Sequence, residues 1–215
     1  MNKIFKRFLR SSSAWLALLL IILCPSLHAE IKGEYIQPDN LYPKVKMETS
    51  LGDIIIELDR GRARLTVDNF LAYAAEGQYD KTIFHRIEKD FVVQGGGYTK
   101  EFEELSTKKP IFNESGSGLK NTEGTIAMAT EARLPHSATR QFFFNVIDNP
   151  SLDPGRRWGY AVFGSIIEGS EVLEAMAAVE VDFNEKLGWS TVPKKMLILK
   201  RVTIIEPEPL PVKSN

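Results

Sequence analysis

The feature that most constrains this chain is a pattern repeated along most of its length: short runs of β-branched and aromatic residues, broken by turn-forming ones. Lys44–Thr49 alternates polar and apolar side chains, Ser50-Leu51-Gly52-Asp53 supplies turn chemistry, and 54–58 is β-branched, which together predict a β-hairpin. Further strand-like pieces fall at 82–87, 91–94, 124–129, 141–146 and 160–167, with a closing strand at 196–205. Only two windows carry a helical period. Thr66 is placed to cap a helix whose apolar residues Val67, Phe70, Leu71 and Ala74 share a face, with Gly77 past its end. The second helix spans 170–179, with Val172, Leu173 and Met176 as its inner face. Many short strands and two helices, without strand–helix alternation, predict a mainly-β barrel or sandwich whose open ends the helices cover.

The ends of the chain read differently. Lys3, Lys6, Arg7 and Arg10 precede an apolar run at 14–23, Pro25 breaks that run, and Ala29 offers a small residue for cleavage. This is the layout of a secretory signal over 1–29, too short to span a bilayer as a helix. An uncleaved anchor, or a lipoprotein processed at Cys24, would compete with it, but the bulky Leu before that cysteine disfavours the latter. Cleavage would leave 23 basic against 28 acidic residues, a net charge of −5, and no cysteine. No attraction to nucleic acid is expected from such a chain, and it would fold without disulfides. Residues 30–43 read as an extended arm, 44–206 as the domain, and the Pro-rich 207–215 as a loose tail. The predicted location is periplasmic, with no stable membrane insertion after cleavage and a monomer as the default for one closed barrel.

Nucleophile and metal chemistry leave no trace. The exported chain would carry two histidines, His85 and His136, with no paired His spacing, no Cys/His cluster and no GxSxG elbow. Gly95-Gly96-Gly97 lacks the spacing of a dinucleotide loop and the Lys of a phosphate loop, and reads as a turn or bulge needing positive φ. No cofactor is implied. What remains is a set of segments joining one cation or amide to aromatics: FHRI at 84–87, FVVQGG at 91–96, GTIAMA at 124–129, QFFFN at 141–145, Leu152-Asp153 and GYAVFG at 159–164. Strand alternation would put Phe84 and Arg86 on one face with His85 opposite, Val92 beside Gln94, and Gln141 beside Phe143.

In this order and near this spacing, these segments resemble the cyclophilin family of peptidyl-prolyl cis-trans isomerases, over about residues 44–206; GYAVFG and the signal look most like its periplasmic bacterial branch. The resemblance implies a closed eight-stranded antiparallel β-barrel capped by two α-helices, and a reaction on X–Pro bonds of exported or unfolded proteins. It places Arg86, Gln94 and Phe143 in catalytic roles, and Phe91, Val92, Ala129, Thr130, Gln141, Leu152 and Tyr160 in contact with substrate. The chemistry fits. The barrier to C–N rotation, about 18–20 kcal/mol, comes from resonance. A twisted prolyl nitrogen regains a lone pair, so a guanidinium bonded to it favours the twisted state over the planar one. His85 is expected to serve structure.

Departures from the eukaryotic pattern matter too. Ser151 stands where that branch has Trp, so weak or no binding of cyclosporin-like cyclic peptides is expected, and nanomolar affinity in a titration would contradict this. Tyr160 replaces a His, Thr130 an Asn and Val92 a Met. The stretch 131–140 is about two residues longer than in that branch, and Trp158 lies close to the pocket in sequence. The alternative to an isomerase is a proline-peptide binding module or chaperone with little turnover; Arg86 favours the enzyme, because a pure binder has no use for it.

Overall fold

The computed structural model describes residues 32–207. The export signal read from 1–29, and the tail beyond 207, lie outside the described residues. Within 32–207, ten strands and two helices follow in chain order: β1 (Lys44–Thr49), β2 (Asp53–Leu58), α1 (Arg64–Ala75), β3 (Thr82–Ile87), β4 (Val92–Gly95), β5 (Thr125–Met128), β6 (Phe142–Asn145), β7 (Val162–Glu168), α2 (Ser170–Ala177), β8 (Val181–Asn184), β9 (Trp189–Pro193) and β10 (Ile198–Ile205). Eight of these strands close a barrel in the order β1-β10-β3-β4-β6-β5-β7-β2, with every pairing antiparallel. The expected eight-stranded barrel capped by two helices is therefore present. The sequence reading missed β8 and β9, which form a separate hairpin outside the barrel.

The barrel is filled by the inward half of each strand. β1 and β2 alternate, burying Val45, Met47, Ile54, Ile56 and Leu58 in one core. That core also takes Phe84, Val93, Ile126, Met128, Phe142, Phe144 and Phe163, and the helices add Val67, Phe70, Leu71, Val172, Leu173 and Met176. Phe70 lies at the centre of an aromatic stack, with ring centroids 4.9 Å from Tyr79, 5.3 Å from Phe163 and 5.8 Å from Phe142. Each such ring buries about 150–250 Å², more than any aliphatic neighbour.

Two local expectations are corrected. Thr66 does not cap α1; it lies inside the first turn, and its hydroxyl and backbone N–H both donate to the carboxylate of Glu114 at 2.8 Å. Residues 32–43, read as an extended arm, are tied down: a 3-10 turn at Gly33–Tyr35 begins them, and the buried Arg60 guanidinium donates to carbonyls of Gly33, Ile36, Gln37 and Asn40.

Candidate active site

Strands β4, β5, β6 and β7 differ from β1 and β2 in being apolar on both faces. Their inward residues join the barrel core, while Val92, Ala127, Phe143 and Val162 point the other way and form a second buried cluster. Period-2 geometry makes this unavoidable: if Val93, Phe142, Phe144 and Phe163 enter the barrel, their neighbours in sequence must leave it. An apolar patch on the outside of a closed barrel has no core to join. Phe91, Leu119, Ala129, Leu152 and Tyr160 pack around it, and the Tyr160 ring meets Phe143 edge-on with centroids 5.5 Å apart.

Along one side of this patch runs a polar chain. Gln94 faces Arg86 across β3–β4 and Phe143 across β4–β6. Arg86 Nη1 donates to Gln94 Oε1 at 3.2 Å, and Gln94 Nε2 donates in turn to Gln141 Oε1 at 3.0 Å. Arg86 Nη2 donates to Glu88 Oε1 at 2.6 Å, and the guanidinium carbon stands 5.8 Å from the centroid of the Phe91 ring. Only about a third of the Arg86 side chain is exposed. These bonds engage two of its five N–H groups, so the fork is held in direction while donors remain for an incoming group.

Arg86 reaches this position by a β-bulge, and here the alternation reading is corrected. The register between β3 and β4 shifts between Phe84 and Arg86: Phe84 pairs with Gly95 and enters the core, while Arg86 pairs with Gln94 outside it. The two do not share a face. His85, the extra residue, is also outside, against Tyr98 (4.6 Å between centroids) and Trp189 of β9 (5.7 Å). A bulge of this kind re-aims a side chain at the cost of one unpaired position. Among the described residues, neither ring nitrogen of the fully buried His85 has a hydrogen-bond partner. Burial, assisted by the charge of Arg86, lowers its pKa to about 4; the Ile83 backbone opposes the shift without reaching hydrogen-bonding geometry.

The three glycines split in role. Only Gly96 has positive φ (+84°); a Cβ at Gly97 would stand 2.6 Å from Cδ of Gln141, so that glycine admits the Gln141 side chain. Leu152 is fixed from below. Asp153 Oδ1 accepts from the backbone and side-chain amides of Asn121 at 2.9 and 3.1 Å. Burial works to raise the Asp153 pKa, but these bonds and Lys120 outweigh it and hold the carboxyl below its usual range. Asn149 completes the frame by donating to the Phe91 carbonyl at 3.0 Å and to Asn145 Oδ1 at 2.8 Å.

Of the ten residues expected at the site, Phe91, Val92, Ala129, Phe143, Leu152 and Tyr160 meet in the apolar patch, and Arg86, Gln94 and Gln141 line its polar side. Thr130 is outside the apolar cluster, on the wall of an adjoining groove that Gln94, Ala129 and Gln141 also line. Sequence reasoning overlooked Ala127, Val162, Leu119 and Glu88. Ala127 lies two residues before Ala129 and Val162 two residues after Tyr160, a strand's step in each case, and both were legible; Leu119 comes from a loop that carries no such signal.

Comparison with known proteins identifies the family and the fold. The family model described as "Cyclophilin type peptidyl-prolyl cis-trans isomerase/CLD" matches residues 44–203. The chain is 44% identical over 165 residues to peptidyl-prolyl cis-trans isomerase cyp18 of Streptomyces antibioticus, covering 75% of this chain and 98% of that protein. It is 42% identical over 166 residues to peptidyl-prolyl cis-trans isomerase B of Escherichia coli, covering 75% and 99%. Among solved structures, a Cryptosporidium parvum cyclophilin type peptidyl-prolyl cis-trans isomerase superposes with a TM-score of 0.64 at 27% identity, over 77% of this chain and 99% of that one. A second structure of that protein, in the presence of the dipeptide Ala-Pro, gives a TM-score of 0.63 at the same identity, over 76% and 99%.

Proposed function

The chain belongs to the cyclophilin type peptidyl-prolyl cis-trans isomerases, and from that premise we propose that it accelerates rotation about X–Pro bonds of exported or unfolded polypeptides, with Arg86 stabilising the twisted bond. The observation that supports this reading is the Arg86 guanidinium, anchored by Glu88 and Gln94 at the edge of an apolar patch that faces out of the barrel. A proline ring seated over Phe143, between Phe91, Val92, Leu152 and Tyr160, would bring its nitrogen toward the unused N–H groups of that fork. Gln94, Gln141, Ala129 and Thr130 would hold the flanking backbone.

Rotation breaks no bond, so the residues need not supply an acid, a base or a nucleophile. They need to bind the twisted amide more tightly than the planar one. Lowering the barrier by about 7 kcal/mol would speed the reaction by roughly five powers of ten. The uncatalysed reaction takes tens to hundreds of seconds, slow enough to limit folding.

Export to the periplasm rests on the signal-like residues 1–29; among the described residues no helix is long and apolar enough to cross a membrane. With that segment removed, the chain is proposed to act as a monomer, its domain over 44–206, with weak or no affinity for cyclosporin-like peptides because Ser151 offers no indole. The deciding experiment is a protease-coupled isomerisation assay on a short Ala-Pro peptide, with a parallel binding titration. The wild type should accelerate isomerisation, and Arg86→Ala should lose roughly 10²–10³ in kcat/KM, the range seen when one transition-state donor is removed, with peptide binding kept within a few fold. Binding by the wild type with no acceleration would instead make the protein a proline-peptide binding module.

A further inference from the structure

Beside the proline patch, and sharing the Tyr160 wall with it, lies a groove of about 850 Å³. Two features unexplained by isomerisation build it: the long 131–140 segment on one side and the 156–158 segment on the other. Trp158, 47% exposed, and Leu134, 55% exposed, leave an apolar surface open to water. Trp158 is nonetheless held firmly, its ring edge-on to His136 (4.9 Å) and Phe112 (5.4 Å), which stack on one another at 4.3 Å. Asn113, itself buried, joins the two walls: its Nδ2 donates to the carbonyl of Pro135 at 3.0 Å and to that of Gly159 at 2.9 Å. Around this platform stand Arg133, Arg156 and Arg157, none of them with an ion pair or a side-chain hydrogen bond among the described residues. Glu131 is the one acidic residue in the lining, so the groove carries an excess of two positive charges on a chain whose net charge is negative.

We infer that this groove is a second substrate subsite, which takes an acidic stretch of the client polypeptide flanking the isomerised proline, with an apolar neighbour on the face of Trp158. The inference rests on the isomerase reading. Tyr160 belongs to both the groove and the proline patch, and an extended chain advances about 3.3 Å per residue, so side chains two to four positions from the proline reach the arginines. A preformed aromatic platform costs little ordering on binding, and unpaired guanidinium groups select carboxylates.

The test uses the full chain and three peptides that share one Ala-Pro core and carry Asp-Asp, Asn-Asn or Lys-Lys pairs two to four residues from it, each made with the pair before and after the proline. Turnover is read by exchange NMR. In at least one placement the Asp peptide should exceed the Asn peptide about five- to tenfold in kcat/KM at low ionic strength, the size expected of one or two screened charge contacts, and high salt should erode the advantage. Combining Arg156→Glu with Arg157→Glu should invert the order, making the Lys peptide the best, an outcome that mere damage to the groove does not produce. Equal wild-type rates for Asp and Asn peptides in both placements would overturn the subsite and leave the isomerase intact, as would an Asp advantage that survives the double charge reversal. If no peptide is accelerated at all, the isomerase reading itself fails, and the subsite with it.

Discussion

His85 stands one residue from the cation that the proposed chemistry uses, and its imidazole is fully buried with both nitrogens unpaired among the described residues. Its folded-state pKa of about 4 against an ordinary 6.5 makes it a source of acid sensitivity. The sign follows from proton counting. Between pH 6.5 and 4 the unfolded chain binds a proton at this position that the folded one refuses, so stability falls as pH drops through that window and levels off below it. The loss attributable to His85 is about 2 kcal/mol at pH 5 and about 3 kcal/mol in full. Replacing His85 with Phe keeps an aromatic against Tyr98 and Trp189 and should remove this contribution. Denaturant unfolding at pH 7 and pH 5 should show the wild type losing about 2 kcal/mol more than the variant. Equal losses would mean that the ring finds a partner when it protonates. The bulge that places His85 was not legible in the sequence, because strict alternation assigns residues 84 and 86 to one face and nothing in FHRI marks the extra residue.

At the scale of elements, most of the barrel was legible because each strand carries its own signal: β-branched and aromatic residues at period two, with turn residues between. The outward patch was reached only through the family resemblance, because apolar runs such as VV, IAM, FFF and AVF read by themselves as core. The β8–β9 hairpin was not legible. Phe183 and Trp189 are exposed in it, and what holds it is spread over Val192, buried in β9, Val181 packed on the barrel core, and the contacts of Trp189 with His85 and Tyr98, with no regular apolar alternation. The start of α1 was misread for a similar reason. Ala63, at the cap position, offers no side-chain acceptor, and Glu114, 48 residues beyond Thr66, reaches back to the N–H groups of Leu65 and Thr66. A carboxylate at a helix N-terminus also opposes the helix dipole. Glu114→Gln should therefore cost about 1–2 kcal/mol, lowering Tm by about 2–8 °C for a chain of this length. In that background Thr66→Val should cost less than it does alone, since the Thr66 hydroxyl makes its hydrogen bond to that same carboxylate. Strictly additive losses in thermal unfolding would contradict this.

For the whole molecule, the question is what joins the first strand of the barrel to the last beyond their own hydrogen bonds. Residues 32–43 perform this task. Gln37 Nε2 donates to the Ile205 carbonyl at the end of β10 at 2.8 Å. Gly33 lies so close to α1 that a Cβ there would collide with the Asp68 carbonyl, and the Arg60 backbone N–H donates to Leu41 O at 2.9 Å. The Arg60 side chain, 4% exposed, then gathers the segment: its Nε donates to Asp68 Oδ1 at 2.8 Å, and its Nη groups satisfy four carbonyls. One buried guanidinium thus holds in place a segment whose only regular element is the 3-10 turn at Gly33–Tyr35. Arg60→Met keeps the length and the apolar stem but strands four carbonyls and loosens Asp68, whose other partner, Arg64, is 3.6 Å away and exposed. The expected cost is about 3–5 kcal/mol, the range for breaking a buried pair from one side. Because 32–43 adds no residue to the apolar cluster around Phe143 and meets only its rim, where Tyr42 shares a groove with Leu119 and Val162, turnover measured well below the unfolding midpoint should stay near the wild-type value while limited proteolysis begins within 32–43. A variant that unfolds within about 0.5 kcal/mol of the wild type, with 32–43 uncut, would show that the barrel closes without this segment and that Arg60 is only a passenger.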